Sequence, residues 1–360
     1  MNKPISTQQL SFMTFILLIG SALVYITGQA ARQDAWLASL LGLLPGLYIL
    51  YAIFKLHAMF PGCRISEIST QVLGRFLGTI LNLLFFWAMF IFLITLLYNI
   101  LILLKITYPA IPRVILYPII LLPCIYCLYQ GLTVLGRLGE LFIWVSLFFT
   151  VAGFFVALPL VNLSNLTPVM EAWKPLLAGA VYTADWPFDE VVIWGLFLPL
   201  VSDLKENKKY VYYWYLLGGL ILIMFDLEVM AIFGPELTQL FSFPLFEVFR
   251  VAGFGEFRRV EVAFLLFWFI TDITAAIIFY QGILFLVQDT FKLKDYKPLI
   301  LPIGLFLIVF VLYMFPSNLL FRIFDIKYAT VYTLPINLLY PTIILLTAKL
   351  RGLPRSVTRG

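Results

Sequence analysis

The chain has little charge for its length. Only 12% of its 360 residues are charged, whereas 62% are hydrophobic, and the mean hydropathy is +1.01. A water-soluble chain of this composition would lack the polar residues needed to cover its surface. The composition therefore excludes a soluble globular protein and predicts an integral membrane protein that crosses the bilayer several times.

Histidine and cysteine are also scarce, which excludes several kinds of chemistry. His57 is the single histidine, so a histidine-based metal site or catalytic triad is not expected. The cysteines are Cys63, Cys124 and Cys127, too few for a disulfide framework. Cys124 and Cys127 form a C-x-x-C pattern inside an apolar segment with no second pair, which favours packing over redox or metal binding. No glycine-rich phosphate-binding loop is present. We therefore expect no enzyme activity, metal, cofactor or nucleic-acid partner.

Apolar segments fill most of the chain and predict ten transmembrane helices. A helix needs about 20 residues to cross the bilayer core. The segments lie near residues 8–30, 35–55, 77–104, 113–131, 138–160, 176–203, 210–233, 259–290, 298–315 and 331–349. Lysine and arginine are more numerous near the segment ends on the N-terminal side, which predicts that both termini are cytoplasmic. We expect one transmembrane domain over residues 1–350, followed by a basic cytoplasmic tail at 351–360.

The first segment has small residues in its middle, namely Gly20, Ser21 and Ala22. Glycine is about 1 kcal/mol less favourable than alanine in a helix, so helical pairing can open here and expose backbone groups. The alternative is a packing face, since small residues let two helix backbones approach closely. The first segment alone does not decide between these two interpretations.

The sixth segment is interrupted by a polar cluster around Pro187. Proline removes a backbone donor and disfavours helix at the residue before it. Three carboxylates, Asp185, Asp189 and Glu190, lie beside the proline. The two interrupted segments are five apart in a set of ten, as expected for an inverted repeat of two five-helix halves. We therefore predict an all-α, leucine-transporter-like architecture, with repeats at about 8–160 and 176–349 and broken helices 1 and 6.

Broken helices expose amide and carbonyl groups that can hold a small zwitterion near the middle of the membrane. Intramembrane acids are functional candidates because their burial is costly. The ligand-binding candidates are Gly20, Ser21, Ala22, Thr95, Tyr98, Pro187, Phe188, Asp189, Thr271, Asp272 and Thr274. The ion-coupling candidates are Glu190, Asp272 and Glu228. Tyr98 has the alternative of an interfacial aromatic anchor, and Asp189 and Glu190 that of helix caps.

Two linkers have the pattern of short amphipathic helices. Residues 61–73 predict one on the cytoplasmic surface, with Ser66 or Glu67 near its start. Residues 235–256 predict another on the opposite side, whose apolar residues include Phe241, Phe243 and Phe246. This second segment is either a lid or a helix lying in the lipid interface.

Several stretches together resemble the B subunit of bacterial spore germinant receptors, a permease-like family within the amino acid-polyamine-organocation superfamily. The resemblance covers nearly the whole chain. The telling stretches are Ile19-Gly-Ser-Ala22, residues 33–42 (QDAWLASLLG), Pro187-Phe-Asp-Glu190, residues 257–261 (FRRVE), Phe267-Trp268 and residues 294–302 (KDYKPLILP). The family commonly has glycine where this chain has Asp189, which bears on the charge of the ligand.

The resemblance implies a ten-helix fold in the spore inner membrane and association with an A subunit and a lipoprotein C subunit. It implies that the chain binds a nutrient germinant, usually an amino acid, and that the assembled receptor triggers germination and ion release. The alternative is a secondary active transporter of amino acids or amines, coupled to protons or cations. The fold motifs do not separate these two functions.

Overall fold

A computed structural model describes residues 4–252 and 260–353. All the secondary-structure elements assigned within these ranges are helices. Eight helices, some with an adjoining 3₁₀ turn, are long and apolar enough to cross a membrane. They are α2 (Ala35–Met59), α4 (Arg75–Thr107), α5 (Arg113–Gln130), α6 (Leu132–Ala157), α9 (Lys209–Thr238), α11 (Val260–Phe291), α12 (Ile300–Met314) and α14 (Thr330–Leu350). The shorter helices are α1 (Thr7–Ala22), α3 (Ile65–Leu73), α7 (Trp173–Asp185), α8 (Leu204–Asn207), α10 (Pro244–Val251) and α13 (Asn318–Phe324). The chain is thus an all-α membrane protein, whereas the ten crossings and the inverted repeat stay predictions.

The first and sixth segments are the predicted crossings whose helices stop short. α7 ends at Asp185, the backbone of Trp186 is extended, and a 3₁₀ helix follows at Phe188–Leu196, so the predicted break at Pro187 is present. In the first segment α1 continues through Gly20 to Ala22, and irregular turns then lead to a 3₁₀ helix at Gln29–Asp34. This break therefore begins after Ala22, slightly later than the sequence predicts.

Gly20 brings α1 directly against the backbone of α11. A Cβ atom at this position would lie 2.6 Å from the carbonyl oxygen of Thr271 and 3.2 Å from the amide nitrogen of Asp272. Backbone atoms cannot yield as a flexible side chain can, so the contact requires a residue without a side chain. Gly20 is thus a packing residue that lies within one turn of the break.

The end of the molecule that carries the N-terminus is closed by hydrogen bonds, and we call it the N-terminal end. Ser6 and Gln9 form a capping box at the start of α1, in which Ser6 Oγ accepts from the Gln9 amide at 3.1 Å and Gln9 Oε1 accepts from the Ser6 amide at 3.0 Å. The carboxylate of Asp203, the last residue of the sixth segment, accepts from the backbone amide of Thr7 at 2.7 Å and from its hydroxyl at 3.1 Å. Partial burial opposes ionisation of Asp203, but the hydrogen bonds that it accepts hold its pKa below the usual value.

The predicted amphipathic helix at residues 61–73 is present as α3. Glu67 accepts a hydrogen bond from the Arg64 amide at 2.8 Å and so caps the helix start. Apolar side chains of α3, among them Ile65 and Ile68, are buried against the rest of the protein. Arg64 donates to Asp289 of α11 at 2.8 Å, and this pair ties α3 to the end of α11.

The second predicted surface segment also packs on the protein. Phe243, Leu245 and Phe246, at and before the start of α10, are buried by other parts of the chain. The amide of Leu245 donates to the carbonyl of Val24, in the break of the first segment, at 3.4 Å. The apolar face of α10 therefore covers protein, as expected of a lid. Residues 253–256 of the predicted segment lie outside the described residues, as do residues 354–360 of the predicted tail.

Candidate ligand-binding site

A cavity of about 460 Å³, which we call the vestibule, lies between the two interrupted segments. One wall is formed by residues between 25 and 32, in and after the first break, and another by Tyr182 and Trp186 at the second break. Phe243 closes one side, and Arg322 and Asp325, which follow the ninth segment, line another. Pockets for small molecules are typically about 300–1,000 Å³, so the vestibule has the size of a ligand site.

Aromatic rings form a row across the vestibule. The ring centroids of Phe243 and Tyr25 are 5.3 Å apart, those of Tyr25 and Trp186 are 5.0 Å apart, and those of Trp186 and Tyr182 are 6.1 Å apart. This row joins the lid, the first break and the second break. The row therefore connects the segment around Phe243 with both breaks along one side of the vestibule.

Charges of both signs line the vestibule. Asp325 accepts a hydrogen bond from the Tyr182 hydroxyl at 3.2 Å, and burial raises the pKa of Asp325 to about 6. Arg322 donates to the Ser242 hydroxyl at 3.3 Å and has donors left for a ligand. An arginine, a carboxylate and aromatic faces in one cavity match the two charged groups and the apolar part of a zwitterionic amino acid.

A smaller cavity of about 30 Å³, which we call the chamber, adjoins the vestibule. The two cavities share Asn99, Tyr182, Trp186 and Asp325 as lining residues. The chamber is also lined by Asp185, which accepts a hydrogen bond from the Thr333 hydroxyl of α14 at 2.6 Å. Its volume suits about one water molecule or one small ion.

Both sides of the second break are held by α14. Thr333 binds Asp185, which precedes the break, and Asn337 donates to Asp189, which follows it, at 3.0 Å. Thr333 and Asn337 are four residues apart and so lie one above the other on the same face of the helix. A movement at the second break therefore changes contacts with α14.

The first break is held by Asp226 of α9. Its carboxylate accepts from the Thr27 amide at 3.1 Å, from the Thr27 hydroxyl at 2.8 Å and from the Ser39 hydroxyl at 2.5 Å. These hydrogen bonds satisfy the Thr27 amide, which lies in the irregular turns after α1, and the hydroxyls of Thr27 and Ser39. Asp226 thus fixes the irregular backbone beside the vestibule.

The predicted residues of α4 lie near the cavities in different ways. Thr95 lines the chamber, and its hydroxyl donates to the Phe92 carbonyl of its own helix at 2.8 Å. Tyr98 lines neither cavity, donates to Asn318 at 3.1 Å and packs its ring on Phe321. Thr95 is therefore the predicted ligand-binding residue that the structure brings to a cavity wall.

The predicted residues after the second break are buried below the vestibule. Pro187 follows the cavity-lining Trp186, and the Phe188 carbonyl accepts from the Tyr215 hydroxyl at 3.3 Å. Asp189 is bound by Asn337, and Glu190 is also buried. These residues line neither the vestibule nor the chamber. They support the floor of the vestibule from below.

The predicted residues of α1 and α11 lie together at the contact between these helices. Gly20 packs on Thr271 and Asp272, Ala22 is buried at the helix end, and the side chain of Ser21 lies outside the described residues. The hydroxyls of Thr271 and Thr274 donate to carbonyls of their own helix, each at 2.8 Å.

Two of the ion-coupling candidates are buried without hydrogen-bond partners among the described residues. Asp272 is 0% exposed, and neither of its carboxyl oxygens has a partner there. Glu228 of α9 is 1% exposed and is equally unsatisfied. Isolated acids inside a membrane protein are costly and mark candidate proton or ion sites.

Sequence reasoning missed most of the vestibule wall. Tyr25 lies in the first break, and Tyr182 and Trp186 flank Pro187, so proximity to the breaks was an available signal. Arg322 and Asp325 belong to the link between the ninth and tenth segments and join the wall only through tertiary packing. No pattern in the sequence distinguishes those two residues from ordinary loop charges.

Comparison with known proteins gives one family over most of the chain. The family model described as "Spore germination protein" matches residues 4–319. Spore germination protein KB of Bacillus subtilis (strain 168) is 26% identical over 315 residues, which cover 85% of this chain and 83% of that protein. Putative spore germination protein YfkT of the same organism is 27% identical over 341 residues, 90% of each chain. Spore germination protein YndE, also from that organism, is 26% identical over 307 residues, 81% of each chain.

Proposed function

This chain belongs to the spore germination protein family, and from that premise we propose that it is the nutrient-binding subunit of a spore germinant receptor. The vestibule is the observation that carries the proposal. It lies between the two interrupted segments and offers Arg322 for a carboxylate, Asp325 for an ammonium group and the rings of Tyr25 and Trp186 for an apolar side chain. An amino acid is the nutrient class that fits these groups.

The proposal includes the setting of the receptor. We propose that the chain lies in the spore inner membrane with both termini in the cytoplasm, and that it acts with an A subunit and a lipoprotein C subunit. The family resemblance supports these partners, and the distribution of lysine and arginine supports the orientation. Binding closes the breaks around the nutrient, and the partners convert this closure into ion release and germination.

Arg322→Gln tests the nutrient site. We expect a shift of the nutrient dose-response by about tenfold to a hundredfold, because a hydrogen bond to a charged group contributes about 1.5–3 kcal/mol. The measurement is the nutrient-triggered fall in optical density of spores that carry the variant as their only receptor of this kind. Lys55→Gln is the matched control, since Lys55 is an exposed cation of α2 away from the vestibule. An unchanged dose-response for Arg322→Gln at normal protein levels contradicts the proposed site.

The alternative function is a secondary active transporter, and a separate observation favours it. The buried and unsatisfied carboxyls of Asp272 and Glu228 are the kind of groups that carry protons in coupled transporters. Reconstitution in liposomes separates the two functions. Sustained amino-acid uptake driven by an imposed proton or cation gradient, by this chain alone, is the result expected of a transporter and not of a receptor that only senses.

A further inference from the structure

The chamber is more acidic and more enclosed than a passage for an amino acid requires. Asp185 and Asp325 both line it, and among the described side chains no lysine or arginine does. Arg322 lies on the vestibule side and is absent from the chamber wall. The chamber thus places two carboxyl groups around a volume of about 30 Å³.

Two further residues with side-chain oxygen atoms, Thr330 and Asn99, line the chamber. Thr330 is 9% exposed, and its hydroxyl lies beside the carboxyl group of Asp185. The amide oxygen of Asn99 is buried and has no partner among the described residues. Both residues line the chamber, so two neutral oxygens and two carboxyl groups surround one small space.

Such an arrangement is costly unless something positive occupies it. Buried carboxylates in a membrane protein need a partner that compensates both the charge and the lost hydration. Oxygen ligands of this kind suit hard cations. Within the described residues there is no group of three or more acid, histidine or cysteine side chains that could hold a metal ion such as zinc. Mg²⁺ usually keeps several of its water molecules, for which a volume of about 30 Å³ leaves no room, so the chamber suits a small monovalent cation.

We propose that the chamber binds one small monovalent cation, held by Asp185 and Asp325 with the oxygens of Thr330 and Asn99. The cation is either a free Na⁺ or K⁺ ion or the ammonium head of an amine that enters through the vestibule, with which the chamber shares its wall. Occupancy neutralises the carboxyl group that α14 holds before the second break. The site is tested with simple cations and without any nutrient, so its failure and that of the proposed nutrient function are separate results.

The experiment uses the purified full chain in lipid nanodiscs. Thermal unfolding is followed in NaCl, KCl, methylammonium chloride and N-methylglucamine chloride at equal ionic strength, and binding of ²²Na⁺ or ⁸⁶Rb⁺ is measured at equilibrium. We expect Na⁺, K⁺ or methylammonium, but not the bulky N-methylglucamine, to raise the unfolding temperature. Asp185→Asn keeps the shape and the acceptor for Thr333, and we expect it to weaken cation binding by about tenfold or more.

Thr330→Val is the second test variant, because it removes one oxygen while keeping the side-chain shape. Glu206→Gln, an exposed acid of α8, is the matched control for loss of a carboxylate. Stabilisation by Na⁺ or K⁺ that both chamber variants reduce identifies a free ion as the occupant. Stabilisation by methylammonium alone, reduced by the same variants, identifies an ammonium head. Equal behaviour in all four salts, or stabilisation that Asp185→Asn and Thr330→Val leave unchanged, overturns the proposal.

Discussion

The two ends of the molecule are held closed by different kinds of contact. At the N-terminal end the backbone itself takes part, since Asp203 binds the Thr7 amide and the amide of Ile5 donates to the carbonyl of Leu200 at 3.0 Å. At the vestibule end a cavity lies between the same two segments, and the rings of Tyr25 and Trp186 are in contact beside it. Ring contacts tolerate sliding, whereas hydrogen bonds hold a defined geometry. The contacts described here therefore close the N-terminal end more tightly than the vestibule end.

Gly20 lies at the boundary between these two ends, and its replacement should have the largest effect. Gly20→Leu places a side chain against the Thr271 carbonyl, so α1 must move away from α11. We expect loss of the nutrient response and a destabilisation of about 1–3 kcal/mol from overpacking. Thermal unfolding of the purified chain and the spore response measure the two effects. Leu44→Ala, at a residue that is 58% exposed on α2, is the control. A wild-type response of Gly20→Leu would show that the boundary is not rigid.

Asp272 lies beside Gly20. It takes part in the hydrogen bonds of neither the N-terminal end nor the vestibule end. We expect Asp272→Ala to abolish the nutrient response with membrane insertion intact, because a buried carboxyl group without a partner among the described residues is costly and marks a candidate functional site. Asp272→Asn keeps the size of the side chain and removes the proton-binding group. We expect it to weaken the response by about tenfold. Membrane fractionation checks insertion. Normal responses of both variants contradict a role in coupling the two ends.

The closure of the N-terminal end can be loosened by itself. Asp203→Asn weakens the hydrogen bonds to Thr7 because the acceptor loses its charge. We expect hydrogen exchange of the amides at the start of α1 to become several-fold faster, with little change around the vestibule. Mass-spectrometric hydrogen exchange measures both regions in one experiment. Glu206→Gln in the same loop is the control, and equal exchange in the two variants shows that Asp203 does not close this end.

The smallest effect is the pH dependence of the same closure. The pKa of Asp203 is lowered in the folded protein, so its stabilising hydrogen bonds are fully present above the ordinary aspartate pKa of about 3.9. They are lost as the pH falls through the lower folded value. Protection of the Thr7 amide, corrected for intrinsic exchange, should therefore be constant from neutral pH to about 5 and should decrease below about 4. A decrease already at pH 6 points to another group.

The breaks and the membrane class are predictable from sequence because they depend on local properties. Pro187 prevents a continuous helix through its ring and its missing amide hydrogen, and these are fixed by residue type. The vestibule wall depends on tertiary packing. Thr95 and Tyr98 occupy neighbouring turns of α4, yet only Thr95 lines a cavity, because Tyr98 is rotated toward Phe321. Arg322 and Asp325 become wall residues only once the ninth and tenth segments pack around the breaks.

Helix α14 touches both ends of the molecule through one face. Near its start, Thr333 and Asn337 bind the carboxyl groups on either side of the second break. Further along, Tyr340 donates to Asn82 of α4 at 2.7 Å, and Asn82 in turn donates to the Ser66 carbonyl of α3 at 3.0 Å.

The 21 residues of α14 span about 30 Å at 1.5 Å per residue. Pro335 and Pro341 lie inside this helix, and each removes a backbone hydrogen bond, so α14 has two places where it can bend. We therefore expect a movement at the second break to bend α14 at these prolines and so to change the contact of Tyr340 with Asn82, which in turn binds α3.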